Sequence, residues 1–287
     1  MNIASIDIGT NAIRMAIYHV LGQNVEPKLL ELIRVPIRLG TDVFDHGKIT
    51  AETEVKLLKM AVAFRNLMEI FEVDAYRACA TSAFREANNG IEIKQKLIEN
   101  GIDLEVIDGD EEARLIFKAH DQLLRSTKNL LFIDVGGGST ELTLFENGKV
   151  KTSRSFKIGA VRILEEKVDP AEWVELEDYI IDEIADHDID LAVGSGGNIR
   201  KLVGYLGRKE TDTVSLARLE KAIKEIEKLS YQERLELLRF NPDRADVIVP
   251  GLKIYQKVMQ WAKVERIMAS YLGLKDGMIM DLIEKKI

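Results

Sequence analysis

Apolar and polar positions alternate from Asn2 to Ile8, break at Gly9-Thr10-Asn11 and resume from Ala12 to Tyr18, which predicts strand, tight turn, strand. The pattern returns at residues 130–135, breaks at Gly136-Gly137-Gly138-Ser139-Thr140 and continues through 141–145. Asn147-Gly148 then predicts a hairpin turn into 149–156. The repetition predicts a duplicated α/β lobe. Between the two repeats, Leu57, Leu58, Ala61, Phe64, Leu67, Met68 and Phe71 recur on one helical face behind Thr50, the expected N-cap. A strand at 75–79, a helix at 92–99, a strand at 104–107 and a helix from about 110 to 124 complete the first lobe. The second continues with a helix at 170–185, a strand at 190–193, a glycine turn at 194–197 and several helices, one of them begun by the capping-box spacing of Ser230 and Glu233. The expected domains are 1–124 and 125–287, joined by a compact hinge near 124–128.

The length of 287 residues is where one core commonly gives way to two, and 46% hydrophobic residues suffice for both. A net charge of -8 argues against a broad nucleic-acid or membrane-binding surface, while leaving room for a polyanion held by local cations. Cys79 is the single cysteine, so no intrachain disulfide forms, and no Cys/His set has metal-ligand spacing. The N-terminus lacks a basic region followed by a long apolar run, and no segment is long and apolar enough to span a bilayer. The expected compartment is the cytoplasm.

Both broken hairpins carry candidate chemistry. Asp7-Ile8-Gly9-Thr10-Asn11 sets a carboxylate at a strand end beside a glycine that permits close backbone approach. Gly136, Gly137, Gly138 and Ser139 form a loop whose N–H groups suit a phosphate, and Asp7, Asp134 and Glu141 are placed to hold Mg²⁺ or another divalent cation. The turn around Gly196 and the strand end carrying Arg85 add candidate anion contacts, although a tight connection and a solvated arginine account for them equally. Asp110, Glu111 and Glu112 open a helix, where the dipole favours acids without any function; hydrolysis at a phosphate site would also need such a carboxylate to deprotonate water.

Taken in order, Ser5–Arg14, Ala80–Asn88, Gly109–Leu115, Asp134–Glu141, Gly159–Arg162, Arg244–Gly251 and Gly273–Gly277 resemble the motif blocks of the exopolyphosphatase/guanosine pentaphosphate phosphohydrolase (Ppx/GppA) family. The resemblance covers essentially the whole chain. It implies duplicated actin-like (ribonuclease H-like) domains of the sugar kinase/Hsp70/actin superfamily with a cleft between them. It further implies hydrolysis of terminal phosphate from inorganic polyphosphate or guanosine pentaphosphate, with Mg²⁺ as cofactor and a homodimer left open. By this resemblance Glu112 is the catalytic base and Glu141 a second catalytic carboxylate. Asp7 and Asp134 are metal-facing, and Thr10, Asn11, Arg14, Arg85 and Gly136–Ser139 bind phosphate. Two departures stand out: Gly194-Ser195-Gly196-Gly197 has one hydroxyl fewer than the family's Gly-Thr-Gly-Thr, and Lys275 replaces an arginine. Longer members carry a further helical domain of the HD phosphohydrolase type, and the chain ends before it. An ATP-dependent kinase or a nucleotide switch on the same fold is the alternative.

Overall fold

The computed structural model describes residues 1–22, 25–120, 129–207 and 213–286. The expected hinge at 124–128 and the end of the helix expected to run to 124 lie outside the described residues. The chain divides into two compact units, Met1–Ala119 with Leu272–Ile287, and His120–Tyr271.

In unit 1 the alternating segment forms β1 (Asn2–Ile8), which turns into antiparallel β2 (Ile13–His19) and then β3 (Lys28–Val35). On its other side β1 pairs in parallel with β4 (Val73–Ala80), and β4 with β5 (Leu104–Val106), giving the order β3-β2-β1-β4-β5 among the described residues. Both faces are covered. Ala4, Ile6 and Ile8 enter one core with Leu57, Ala61 and Phe64 of the helix Ala51–Ile70. Ile3 enters another with Ile279, Leu282 and Ile283. Thr50 caps the long helix as expected, its side chain accepting from the Thr53 N–H.

Unit 2 repeats the plan. Strands β6 (Asn129–Val135), β7 (Thr140–Glu146) and β8 (Lys149–Phe156) form the antiparallel meander; β9 (Leu191–Ser195) and β11 (Arg266–Ala269) add in parallel, and β10 (Thr213–Ser215) closes the edge. The order β10-β11-β9-β6-β7-β8 contains the unit 1 order with one strand added among the described residues. Asn147 and Gly148 take φ of 52° and 74° in the β7–β8 turn, the left-handed pair that a two-residue hairpin needs.

The sequence-based domain boundary differs at the C-terminus, because Leu272–Ile287 groups with unit 1. The helix Leu274–Lys286 buries Ile279, Leu282 and Ile283 against Ile3, Ala16, Tyr18 and Val20. At Gly277 an added Cβ would lie 1.8 Å from the Leu115 carbonyl oxygen, so this helix and the helix Gly109–Ala119 touch backbone to backbone. Lys275 donates to both oxygens of Asp276 at 2.6 Å, and Asp276 also accepts from the Tyr18 hydroxyl at 2.5 Å and the Gly273 N–H at 2.8 Å. The lysine at the family's arginine position is thus part of a buried clamp at the start of this helix.

Candidate active site

In unit 1 the β1–β2 turn brings Asp7 and Arg14 into register, and the Arg14 guanidinium donates to Asp7 Oδ2 at 2.9 Å. The residue expected to face a metal and the one expected to face phosphate therefore neutralise each other. The Thr10 carbonyl accepts from the Gly40 N–H at 2.9 Å, and Asn11 Oδ1 from Arg38 Nε at 2.8 Å, which fixes the turn. Arg85 stands at the C-terminal end of the helix Ser82–Glu86, and its guanidinium donates to the Ile107 carbonyl at 2.5 Å. Its role as a phosphate clamp would compete with that bond.

The acidic helix start separates into three tasks. Asp108 Oδ1 accepts from the Glu111 N–H at 2.8 Å and caps the helix. Glu111 accepts from Arg77 and Arg114, and hydrogen bonds from Arg114 above all hold its carboxyl below the usual carboxylate range. Glu112 is 8% exposed and shares the buried helix face with Leu115 and Ile116. Helix-dipole stabilisation does not require burial, so the burial of Glu112 sets it apart from its neighbours.

In unit 2 the corresponding hairpin places Asp134 and Glu141 directly opposite each other on β6 and β7. Side chains so paired share a face about 4.5–5.5 Å apart at Cβ, and like charges there repel. Ser195 Oγ donates to Asp134 Oδ1 at 2.5 Å and Ser155 Oγ to Glu141 Oε1 at 2.7 Å. These hydroxyls satisfy lone pairs but bring no positive charge. Two carboxylates with hydroxyl support form an all-oxygen donor set, which fits Mg²⁺, an ion that takes one or two carboxylates and fills its octahedron with water and phosphate.

The triple-glycine loop is held by its carbonyl groups. The Ala160 N–H donates to Gly136, the Val161 and Arg162 N–H groups to Gly137, and Arg162 Nε to Gly138 at 2.9 Å. The amides of Gly137 and Gly138 are not used in these bonds. Gly159 is required by contact, since a Cβ there would lie 2.4 Å from the Gly137 carbonyl carbon. Gly196 has φ of 104°, and a Cβ would meet the Val135 carbonyl oxygen at 2.7 Å; the turn therefore lies against the end of β6.

Sequence reasoning missed four supporting residues. Ser195, read as part of a turn short of one hydroxyl, holds Asp134; Ser155 holds Glu141. Tyr255, fully buried, donates its hydroxyl to the Ser195 carbonyl, and burial together with the nearby Asp134 charge pushes its phenol well above its ordinary value. Arg244 lies against Gly197 and donates to Asn198 Oδ1 at 2.6 Å. Arg244 and Ser195 fell within segments compared with the family, but neither was given a role.

Residues 19–286 match the model of the Ppx/GppA phosphatase family. Exopolyphosphatase 1 of Mycobacterium tuberculosis is 24% identical over 308 residues, spanning 100% of this chain and 89% of the relative. A guanosine-5'-triphosphate,3'-diphosphate pyrophosphatase of Vibrio cholerae is 22% identical over 295 residues, 98% of this chain and 59% of the relative. The crystal structure of the Aquifex aeolicus family member superposes with a TM-score of 0.80 at 25% identity, covering 100% of this chain and 98% of that one. The repeated sheets of the two units are the duplicated actin-like α/β fold.

Proposed function

From the premise that the chain belongs to the Ppx/GppA phosphatase family, and so is a phosphoanhydride hydrolase, we propose that it removes the terminal phosphate of inorganic polyphosphate, with the 5′-γ-phosphate of guanosine pentaphosphate as a second substrate. The observation that carries this reading is the pairing of Asp134 with Glu141 beside a glycine loop anchored by its carbonyls, an arrangement suited to a metal–phosphate group.

Asp134 and Glu141 would hold a divalent cation, which when bound neutralises charge on the phosphate oxygens. Of the expected Gly136–Ser139 set, the Gly136 N–H is taken by the Ser139 carbonyl at 3.0 Å, and the amides of Gly137, Gly138 and Ser139 bind the terminal phosphate, with Gly196 contributing from the neighbouring turn. Thr10, Asn11, Arg14 and Arg85 are the phosphate contacts we assign in unit 1, and Asp7 balances the charge of Arg14. Glu112 takes the proton from the attacking water as its oxygen bonds to the terminal phosphorus. The P–O bond to the bridging oxygen breaks, that oxygen leaves with the shortened chain, and orthophosphate is released.

No described helix is long and apolar enough to cross a membrane. We assign the protein to the cytoplasm on its single, buried, unpaired cysteine. The function is tested by orthophosphate release from polyphosphate, guanosine pentaphosphate and ATP, each with Mg²⁺ and with a chelator. Metal-dependent release from polyphosphate is expected. Turnover of ATP alone, or transfer of its phosphate to an added alcohol, would favour the kinase or switch alternative.

A further inference from the structure

The helix Gly109–Ala119 is fixed in unit 1 from two sides. Its long axis is pinned where Gly277 meets the Leu115 backbone, a contact with no room for one added carbon. Its rotation is restrained by a charged cluster built around Arg77 and Asp281. Arg77 projects from β4, which lies between β1 and β5, so its base is anchored in the sheet and not in a loop. Its guanidinium donates through Nη1 to Asp281 Oδ2 at 2.9 Å and through Nη2 to Glu111 Oε1 at 3.0 Å. Asp281 also accepts from Arg114 and from Lys118 of the same helix, at 3.2 and 3.0 Å, and pairs with Lys285 at 2.8 Å. Asp281 and Arg77 side chains are 3% and 9% exposed.

Glu111 and Glu112 are consecutive, about 100° apart around the helix. Any rotation that frees Glu111 from Arg77 turns the Glu112 carboxylate by the same angle. We propose that Arg77 is a positioning residue for Glu112, setting the direction of its carboxylate by gripping Glu111 and Asp281 at once; this rests on the reading of Glu112 as the base that deprotonates water. Only a planar fork serves. A lysine keeps the charge but cannot reach both carboxylates from fixed angles. The remaining contacts of Arg77, from Nη2 to Glu105 at 2.7 Å and from Nε to both Glu105 oxygens at 3.3 Å, reach an exposed carboxylate on β5 and not the helix.

The test is a double-mutant cycle of Arg77→Lys and Glu112→Gln, read as kcat and KM on polyphosphate, with thermal unfolding of every variant. A base displaced by about an ångström loses on the order of 10²-fold in rate, so Arg77→Lys should lower kcat by roughly ten- to a hundredfold and leave KM within about twofold. In the Glu112→Gln background the same change should cost less than about twofold, since there is no base left to misplace. Glu105→Gln should leave kcat as it is. Full multiplication of the two effects, or unaltered kcat in Arg77→Lys, overturns the proposal. If Arg77→Lys does not fold, Glu111→Gln takes its place in the cycle, with the same expected split. Wild-type turnover in Glu112→Gln alone would refute the base assignment and this inference with it, whereas a large effect there with a multiplying Arg77→Lys refutes only the inference.

Discussion

Asp134 and Glu141 face each other across β6 and β7 at the position where the unit 1 hairpin pairs Asp7 with Arg14. One copy of the duplicated hairpin is an ion pair closed on itself. The other sets two carboxylates opposite each other, the pair we propose holds a cation. Glu141→Gln relieves the repulsion, so it should raise the melting temperature in chelator slightly, by the equivalent of about 0.2–1 kcal/mol. Saturating Mg²⁺ should stabilise the wild type, by about 2.7 kcal/mol at a hundred times its Kd, and the variant much less. Equal Mg²⁺-induced shifts in the two proteins would remove Glu141 from the metal set.

Glu112→Gln keeps the volume of the side chain and removes its proton acceptor. Phosphate release should fall by roughly 10²–10⁴, with polyphosphate binding retained. Equilibrium binding by the inactive variant separates this outcome from general loss of structure. Near-normal turnover would reduce Glu112 to a buried helix-start acid.

The two hairpins were legible because a period of two residues, broken by glycine, is a local property. So were the caps at Thr50 and Ser230, both formed as expected. Strand β3 was not, since Leu29, Leu30 and Ile33 fit a helical face as readily as a strand; the free edge of β2 is what it pairs with. The placement of Leu274–Lys286 was hidden for a similar reason: its apolar face is local, but the partner it covers is some 260 residues earlier in the chain. Ser195 reaches Asp134 across 61 residues and Tyr255 reaches Ser195 across 60, contacts that no spacing rule encodes. Glu112 was singled out only through the family resemblance, because three consecutive acids at a helix start look alike in sequence; what the structure adds is its burial.

Asp281 gives the stability of unit 1 a pH dependence. Burial alone would push its carboxyl up, but hydrogen bonds from Lys285 and Lys118 and the charge of Lys118 outweigh this and hold it well below the usual carboxylate range. The folded state therefore binds fewer protons at Asp281 than the unfolded chain, whose value is about 3.9. Its contribution is complete above that pH and is lost as pH falls through the folded value. Unfolding free energy should decline steeply below about pH 4, and Asp281→Asn should flatten that decline while costing about 3–5 kcal/mol at neutral pH, because it leaves buried cations short of their partner. A wild-type acid slope in the variant would assign the decline to other carboxylates.

Gly159→Ala tests the glycine loop by sterics alone. The new methyl group would overlap the Gly137 and Gly138 backbone at 2.4–2.5 Å, and backbone cannot step aside as a side chain can. Overpacking of this kind costs about 1–3 kcal/mol. Displacement of the loop should appear mainly as a higher KM for polyphosphate, with the Mg²⁺-induced stabilisation retained because Asp134 and Glu141 lie outside the overlap. An unchanged KM would mean that the loop does not hold substrate.

Retention of a long polyphosphate between cleavages needs cations away from the scissile bond, and the protein carries a net charge of -8. Such a track would draw on Arg85, Arg162, Arg200 and Lys201. Each is engaged by the protein: Arg85 with the Ile107 carbonyl, Arg162 with the Gly138 carbonyl, Arg200 with the carbonyls of Gly196 and Tyr271, and Lys201 over the Phe240 ring at 5.6 Å. Recruiting Arg162 and Arg200 to distant phosphates would break bonds that hold the loop and the turn, and Arg85 is assigned to the phosphate being cleaved, so release after few cleavages is expected. With polyphosphate in large excess, the product ladder should shift downward as one population, and Lys201→Ala should leave its shape as it is. Intact long chains beside fully degraded product would show processive action, and loss of that pattern in Lys201→Ala would restore the track.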